Sequence, residues 1–321
     1  MRVALRALSP HDIYPIYREL QDAETVKWLS SVPWPYQRED AVAFVTEFAT
    51  PDDLVITADG DFAGVIRVAG EIGYWVAQNY RRNGVGRRAA QIAMFRHFAQ
   101  SDAPQQATHI EGNLPSRQLL LSIGFRETGR GEVTRRFDGA TLPQRILQLS
   151  RADFAASLDI RTPRCRITPM TDADIPTLHR IATQPDVAKM LMRFFPGQSL
   201  AELARLMRPA MNPLKRPARL AIRMDGRCIG SIGVDSGKTP SVFYFLAPEI
   251  SGQGIASEVV PAFCDAVQDW HRLDILRAQV FSDNPASRRV LEKSGFVVTG
   301  SDLMLSAGRK APGQGWIMQR G

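Results

Sequence analysis

The chain has 321 residues, 44% of them hydrophobic and 23% charged, and a net charge of +7. This is a globular composition, and the length suits two domains of about 150 residues, each able to bury its own core. No window reaches the ~18 consecutive apolar residues of a membrane span. The start, MRVALRALSPHDIY, has neither the apolar stretch nor the cleavage site of a secretory leader, so a cytoplasmic setting is expected.

Cys165, Cys228 and Cys264 are far apart and no CxxC occurs, so reduced thiols are expected and no metal site. Residues 1–157 carry 18 basic and 18 acidic side chains, and residues 158–321 carry 22 and 15, so the excess charge lies wholly in the second half. No basic tail or basic–aromatic interleaving accompanies it. It reads as a solvated arginine-rich surface, and nucleic acid is not expected as a partner.

In chain order, VALRAL predicts a strand, and SPHDIYPIYRELQD a helix with Ser9 as N-cap and Pro10 in its first turn. REDAVAFVTEF predicts a second helix. LVITAD and FAGVIRVAG pair as a hairpin around Asp59-Gly60. EIGYWVA is a strand that runs into a glycine turn, and GRRAAQIAMFRHFAQ is the helix behind it. ATHIEG is a strand, SRQLLLSIG a helix closed by Gly124, and FRETGR and QRILQLS are strands.

The second half repeats this order. Tyr74 maps onto Tyr244 and Arg81 onto Ser251 at an offset of 170, and NLPSRQLLLSIGF matches NPASRRVLEKSGF at 171. The two starts also correspond. A duplicated domain follows, 1–157 and 158–321, with the join in AASLDIRTP. Strand–helix alternation around a mixed sheet predicts an α/β or α+β fold in each copy.

NYRRNGVGRRAAQ and EISGQGIASEVV each place two glycines, two residues apart, between a strand and a helix. The first N–H groups of a helix lack intrahelical partners and sit at the positive end of its dipole, so such a turn binds anions. Arginines beside it suit a pyrophosphate. Neither copy has the Gly-Lys-Ser/Thr of a nucleotide-triphosphate loop. Gly84, Gly86 and Ala89, followed by Glu111, meet the dinucleotide pattern. Against a dinucleotide-dependent oxidoreductase, the turn follows several strands instead of the first, and Ser282 stands where copy two should have the acid.

RRNGVG, within EIGYWVAQNYRRNGVG and with NLPSRQLLLSIGF and DAETVKWL, resembles the acetyl-coenzyme A signature of the GNAT N-acetyltransferase superfamily, RimJ/RimL-type branch. YFLAPEISGQGIASE and NPASRRVLEKSGF are similar to the same branch, although Ser251 replaces the signature's first Arg or Gln. The resemblance implies two tandem GNAT-like domains, each a central, mostly antiparallel mixed sheet flanked by helices. It implies acetyl-CoA as cofactor, with the strand Tyr74, Trp75 and Val76 along the pantetheine. Arg81, Arg82, Gly84, Val85, Gly86 and Arg87 would lie at the pyrophosphate, and Asn113 and Ser116 at the thiol end. The counterparts are Leu246, Gly252, Gly254, Ile255, Ala256, Ser257, Asn284 and Ser287.

The reaction implied is attack of an amine, on a protein N-terminus or a small molecule, upon the thioester. Many relatives use a tyrosine where Leu120 and Leu291 stand, so Ser116 and Ser287 inherit the protonation of the leaving thiolate. Glu71 and Glu111 are the candidate bases of copy one, with Glu132 ranked below them. Ser241 and Ser282 hold the two equivalent positions in copy two. Chemistry is therefore expected mainly in the first copy, and either copy could instead be a pure binding module. Trp34 and Tyr36, with Phe194 and Phe195 in copy two, are candidates for an acceptor groove. A monomer or a homodimer is expected.

Overall fold

In the computed structural model, which describes residues 1–321, the chain divides into two units, Met1–Ser157 and Leu158–Gly321. The first begins with β1 (Val3–Ala7) and a 3₁₀ turn closed by a reciprocal Ser9–Asp12 capping box. The turn leads into α1 (Ile13–Glu19). Two short helices follow, α2 (Ala23–Val26) and α3 (Arg38–Ala43), and α3 runs on into a π-helical turn. Next come β2 (Asp53–Ala58), β3 (Asp61–Val68), β4 (Glu71–Val76), α4 (Val85–Gln100), β5 (Gln105–Ile110), α5 (Leu114–Ser122), β6 (Arg126–Thr134) and β7 (Thr141–Leu149).

The strands form one sheet in the order β1-β2-β3-β4-β5-β7-β6. Every neighbouring pair is antiparallel except β4 with β5. Helix α4 covers one face through Ala89, Ala90, Met94, Phe95 and Phe98, all buried. Helices α1 to α3 cover the other, where Ile16, Leu20, Val26, Tyr36, Ala41 and Val65 make one cluster. A last helix, α6 (Arg151–Ser157), falls where the sequence suggested only a join. Its signal is Ser150, whose hydroxyl accepts from the Asp153 amide, and Phe154, fully buried against Phe98 with ring centroids 5.5 Å apart.

The second unit runs through β8 (Ile160–Arg161), β9 (Cys165–Pro169), α7 (Ile175–Ala182), α8 (Pro185–Ala188), α9 (Leu200–Met207), β10 (Ala218–Met224), β11 (Arg227–Val234) and β12 (Val242–Leu246). It continues through α10 (Ile255–His271), β13 (Leu276–Phe281), α11 (Pro285–Lys293), β14 (Val297–Met304) and β15 (Gly313–Arg320). From β9 to β15 the order is that of β1 to β7 in the first unit, as duplication requires, with β8 added at the edge, but the sheet is divided. Strands β12-β11-β10-β9-β8 make one sheet and β13-β15-β14 another. Between them lies a single parallel bridge, Ser241 to Arg277. No helix in either unit is long and apolar enough to cross a membrane.

The C-terminal residue of α10, His271, has a pKa pulled down to about 4, by burial first and by the Arg216 charge second. An unfolded histidine titrates near 6.5, so between the two values the unfolded chain binds more protons than the folded one. The second unit therefore loses stability as the pH falls through this window, by up to about 2 kcal/mol between pH 7 and pH 5. Proton titration of His271 by NMR should give a value near 4, and His271→Gln should flatten the urea midpoint over that interval. A His271 pKa at or above the ordinary value would contradict this.

Candidate functional site

The site begins where β4 leaves β5. Only Glu71–Gln106 and Ile72–Ala107 pair in parallel, and from Gly73 onward the two strands diverge. On its other side β4 stays paired with β3 through Gly64–Val76. The Ala77 amide donates to Ala63 O, so the alternation of an antiparallel ladder turns the backbone groups of Tyr74 and Val76 towards the open edge. A left-handed glycine makes this geometry possible. At Gly64 (φ +143°) a Cβ would lie 2.2 Å from Trp75 O. The second unit repeats the close approach without the left-handed conformation: Ala247 N–H donates to Ile229 O, and a Cβ on Gly230 would lie 2.3 Å from Phe245 O.

The open edge leads to the glycine turn. In the first unit the left-handed positions are Arg82 (φ +61°) and Gly84 (φ +75°), and in the second Gly252 (φ +78°) and Gly254 (φ +75°). The visible Gly-x-Gly pairs of the two copies are thus two residues out of phase. Gly84 and Gly254 are the N-caps of α4 and α10, with no side-chain cap, and Gly84 has open space beside it. The amides of Val85, Gly86 and Arg87, and of Ile255, Ala256 and Ser257, are the first-turn donors of these long helices. Gly86 serves packing instead of ligand approach. A Cβ there would meet Leu119 Cδ1 at 3.0 Å and Val76 Cγ2 at 3.2 Å, and Ala256 is its counterpart.

The side chain of Arg81 turns back into the protein. Its Nε donates to Val76 O at 2.9 Å and its Nη2 to Thr25, with Asp22 3.4 Å away. Arg81 therefore braces the turn against α2, which corrects the expectation of a phosphate contact from its guanidinium. The Arg87 side chain bonds Ser122 and Gln91, leaving its backbone amide as the contribution to the turn.

At the other end of the cleft, Asn113 caps α5 by accepting from the Ser116 amide at 3.3 Å, and Asn284 caps α11 from Ser287 at 3.1 Å. The N-x-x-S spacing is therefore a helix cap that fixes the serine. Ser116 Oγ lies 3.0 Å from the Tyr74 hydroxyl, and Ser287 Oγ 2.8 Å from that of Tyr244. Burial pushes both phenols up to about 12, against a smaller opposing effect of the serine hydrogen bond. Both tyrosines stay protonated at neutral pH.

In the first unit these parts line a cavity of about 1040 Å³ that includes Glu71, Tyr74, Trp75, Val76, Gly84 and Ser116. Glu71 Oε1 accepts from Thr108 Oγ1 at 2.5 Å across the strand divergence. Glu111 lies elsewhere. It pairs with Arg145 at 2.7 Å beside a separate cavity of about 270 Å³. Glu132 is on β6 and does not line the large cavity. Of the expected groove aromatics, Tyr36 lines it, beside Trp28, whereas Trp34 packs on Phe137 with centroids 5.5 Å apart.

Sequence reading passed over His109. This buried β5 residue borders both cavities. Its Nδ1 is 3.0 Å from Ile110 O, which can only accept, so the neutral ring carries its hydrogen there. That leaves Nε2 a bare acceptor without a partner. A polar residue on the buried side of ATHIEG was the available signal.

A family model described as an acetyltransferase (GNAT) domain matches residues 2–126 and again 164–297. Among solved structures, a GNAT-family acetyltransferase from Bacillus anthracis is similar at 18% identity, covering 50% of this chain and 97% of its own, with a TM-score of 0.43. The spermidine N-acetyltransferase of Vibrio cholerae in complex with CoA and spermine gives 16%, 49%, 94% and 0.43. RimJ of Mycobacterium smegmatis in complex with CoA-disulfide gives 19%, 50%, 85% and 0.43. No curated protein matches the chain.

Arg82 holds a backbone conformation that costs a residue with a Cβ about 1 kcal/mol relative to glycine, and Gly252 shows that glycine suits the position. Arg82→Gly should therefore stabilise the first unit by about 0.5–1 kcal/mol. Urea unfolding checks this, and a loss of stability would show that the Arg82 side chain holds the turn.

Proposed function

The chain belongs to the GNAT acetyltransferase family, and on that premise we propose that its first unit is an N-acetyltransferase that moves an acetyl group from acetyl-CoA to a primary amine. The observation that carries the proposal is the open edge of β4, which runs from the Tyr74–Ser116 pair to the uncapped N-terminus of α4 within one cavity. The residues present fit the cofactor. The left-handed turn and the first-turn amides suit a pyrophosphate. The free backbone groups of Tyr74 suit the amides of a pantetheine arm, which would continue the broken ladder as an added strand does. With the family shown, the dinucleotide reading of Gly84, Gly86 and Ala89 falls away.

The chemistry needs a C–N bond formed, a C–S bond broken and one proton moved from nitrogen to sulfur. Glu71, on the cavity wall and held by Thr108, takes the proton from the amine. The Val76 amide, on the open edge, donates to the carbonyl oxygen as negative charge develops there. Ser116 delivers a proton to the departing sulfur and is resupplied by Tyr74, whose phenol is protonated at working pH and regains its proton from solvent as Glu71 releases its own there. Acceptors of the RimJ/RimL kind, a protein N-terminus or a small amine, fit a cavity walled by Trp28, Tyr36 and Trp75.

The second unit keeps the left-handed turn and the Tyr244–Ser287 pair, but has Ser241 at the position of Glu71. It is assigned to binding, with up to two cofactor sites per chain.

Glu71→Gln should lower kcat by about 10²–10⁴ with little change in acetyl-CoA affinity, and an unchanged kcat would remove Glu71 from the mechanism. Gly84→Asp places a carboxylate at the anion site, in open space, at the roughly 1 kcal/mol cost of a left-handed residue that Arg82 already shows the turn to bear. It should abolish turnover without unfolding, whereas Gly254→Asp should leave turnover intact. The reverse pattern would make the second unit the catalytic one. Mass-spectrometric screening of amine panels and extract proteins identifies the acceptor.

A further inference from the structure

In the first unit, the cross-strand pair Asp53–Arg67 joins β2 to β3, with Arg67 Nη1 3.3 Å from Asp53 Oδ2. Counted from the equivalent hairpin turns Asp59-Gly60 and Asp225-Gly226, the same ladder pair in the second unit is Arg219–Gly233. The carboxylate has become a guanidinium and the cation a glycine. Arg219 is the charge left over, and no carboxylate lies within ion-pair distance of it.

The surroundings are built around this cation. Its Nη1 donates to Ser231 Oγ at 3.0 Å. The rings of Phe243, Phe194 and Phe245 have centroids 4.5, 5.8 and 6.0 Å from its Cζ. Gly233 is required for this seat, because a Cβ there would lie 2.5 Å from Phe243 Cε2. Protein surrounds Arg219 closely, yet the side chain keeps partial exposure. Burial, and then the nearby Arg193 charge, pull its pKa down to about 10, which still leaves it charged at neutral pH. Arg193 is exposed and is also without an ion-pair partner.

Aromatic faces offset part of the cost of enclosing a cation, but they accept nothing in the guanidinium plane. An enclosed cation without a counter-ion is otherwise destabilising, and an apolar residue of similar size would serve packing better. The in-plane donors of a guanidinium match a carboxylate bidentately. We propose that Arg219, reinforced by Arg193, is a binding site in the second unit for the carboxylate of a small ligand with an apolar or aromatic body. The equivalent pair of the first unit, Asp53 and Arg67, lines the large cavity, so the site takes the corresponding place in the second unit; the charge comes from the arginine pair, and the phenylalanines contact the ligand body.

The test uses the full chain with benzoate as probe, and benzamide and inorganic phosphate as comparisons. Benzoate should raise the melting temperature saturably and shift the Arg219 Nε–Hε resonance, while benzamide should do neither. Arg193→Ala, at an exposed position, should weaken benzoate by about three- to tenfold. Arg219→Lys should weaken it about tenfold or more, since an ammonium cannot offer the bidentate edge. Arg219→Met should abolish the response while leaving the free protein as stable or more stable. Three results would overturn the proposal: no saturable response to benzoate, an undiminished response in Arg219→Met, or tighter binding of phosphate than of benzoate.

Discussion

The rest of the site depends on a broken ladder. Backbone N–H and C=O groups are obligatory hydrogen-bonding groups, and a sheet interior normally satisfies them. Here β4 parts from β5 after two residue pairs, and β12 from β13 after a single bridge. Each break leaves the edge at Tyr74 and Val76, or at Tyr244 and Leu246, without a neighbouring strand. Elsewhere such an edge would be an aggregation liability. Here it is recessed within one unit, bounded by the helix whose N-terminus ends the cleft and by the helix whose cap holds the serine. The arrangement serves a long, thin ligand that is anionic at one end and rich in amides along its length.

Local devices hold the break open. Gly64 and Gly230 allow the close approach of β3 to β4 and of β11 to β12 that tilts each splayed strand. Arg81 ties Val76 O back to α2, so the carbonyl that would otherwise remain unsatisfied at the end of β4 is capped by a side chain. Asn113 and Asn284 fix the first turns of their helices and so place Ser116 and Ser287 against the tyrosines. The two units share this machinery and differ at one cross-strand pair, which in the first unit lines the same cavity. There the first keeps an Asp53–Arg67 pair, and the second has Arg219 among phenylalanines. Duplication has preserved the left-handed turn and the tyrosine–serine pair, while this cross-strand pair has diverged in charge.

The strand and helix order was legible because periodicity and turn chemistry are local. Asp59-Gly60 reads as a primed turn and folds as one, and Gly124 closes α5 at φ +101°. The duplication was legible through Tyr74 and Tyr244 and the two N-x-x-S stretches. The parts that escaped were set by tertiary partners. The Gly-x-Gly spacing suggested equivalent glycines, but only dihedral angles show that Arg82, not Gly86, takes the left-handed place of Gly252. Glu111 looked like a base until the fold brought Arg145 beside it from β7. His109 gave only a faint signal, one polar residue on the apolar side of ATHIEG, and its unpartnered Nε2 exists only once the strand is buried. The division of the second unit's sheet has no sequence mark, since Ser241 and Arg277 are ordinary strand-edge residues.

The central claim is that the open edge of β4 and the first turn of α4 hold acetyl-CoA. Backbone amide NMR of the full chain, with and without saturating acetyl-CoA, tests it most directly. The account predicts that the amides of Val76, Val85, Gly86 and Arg87 shift and gain protection from exchange together, with Tyr74 following. Saturable binding that leaves those amides unmoved would contradict it and place the cofactor elsewhere.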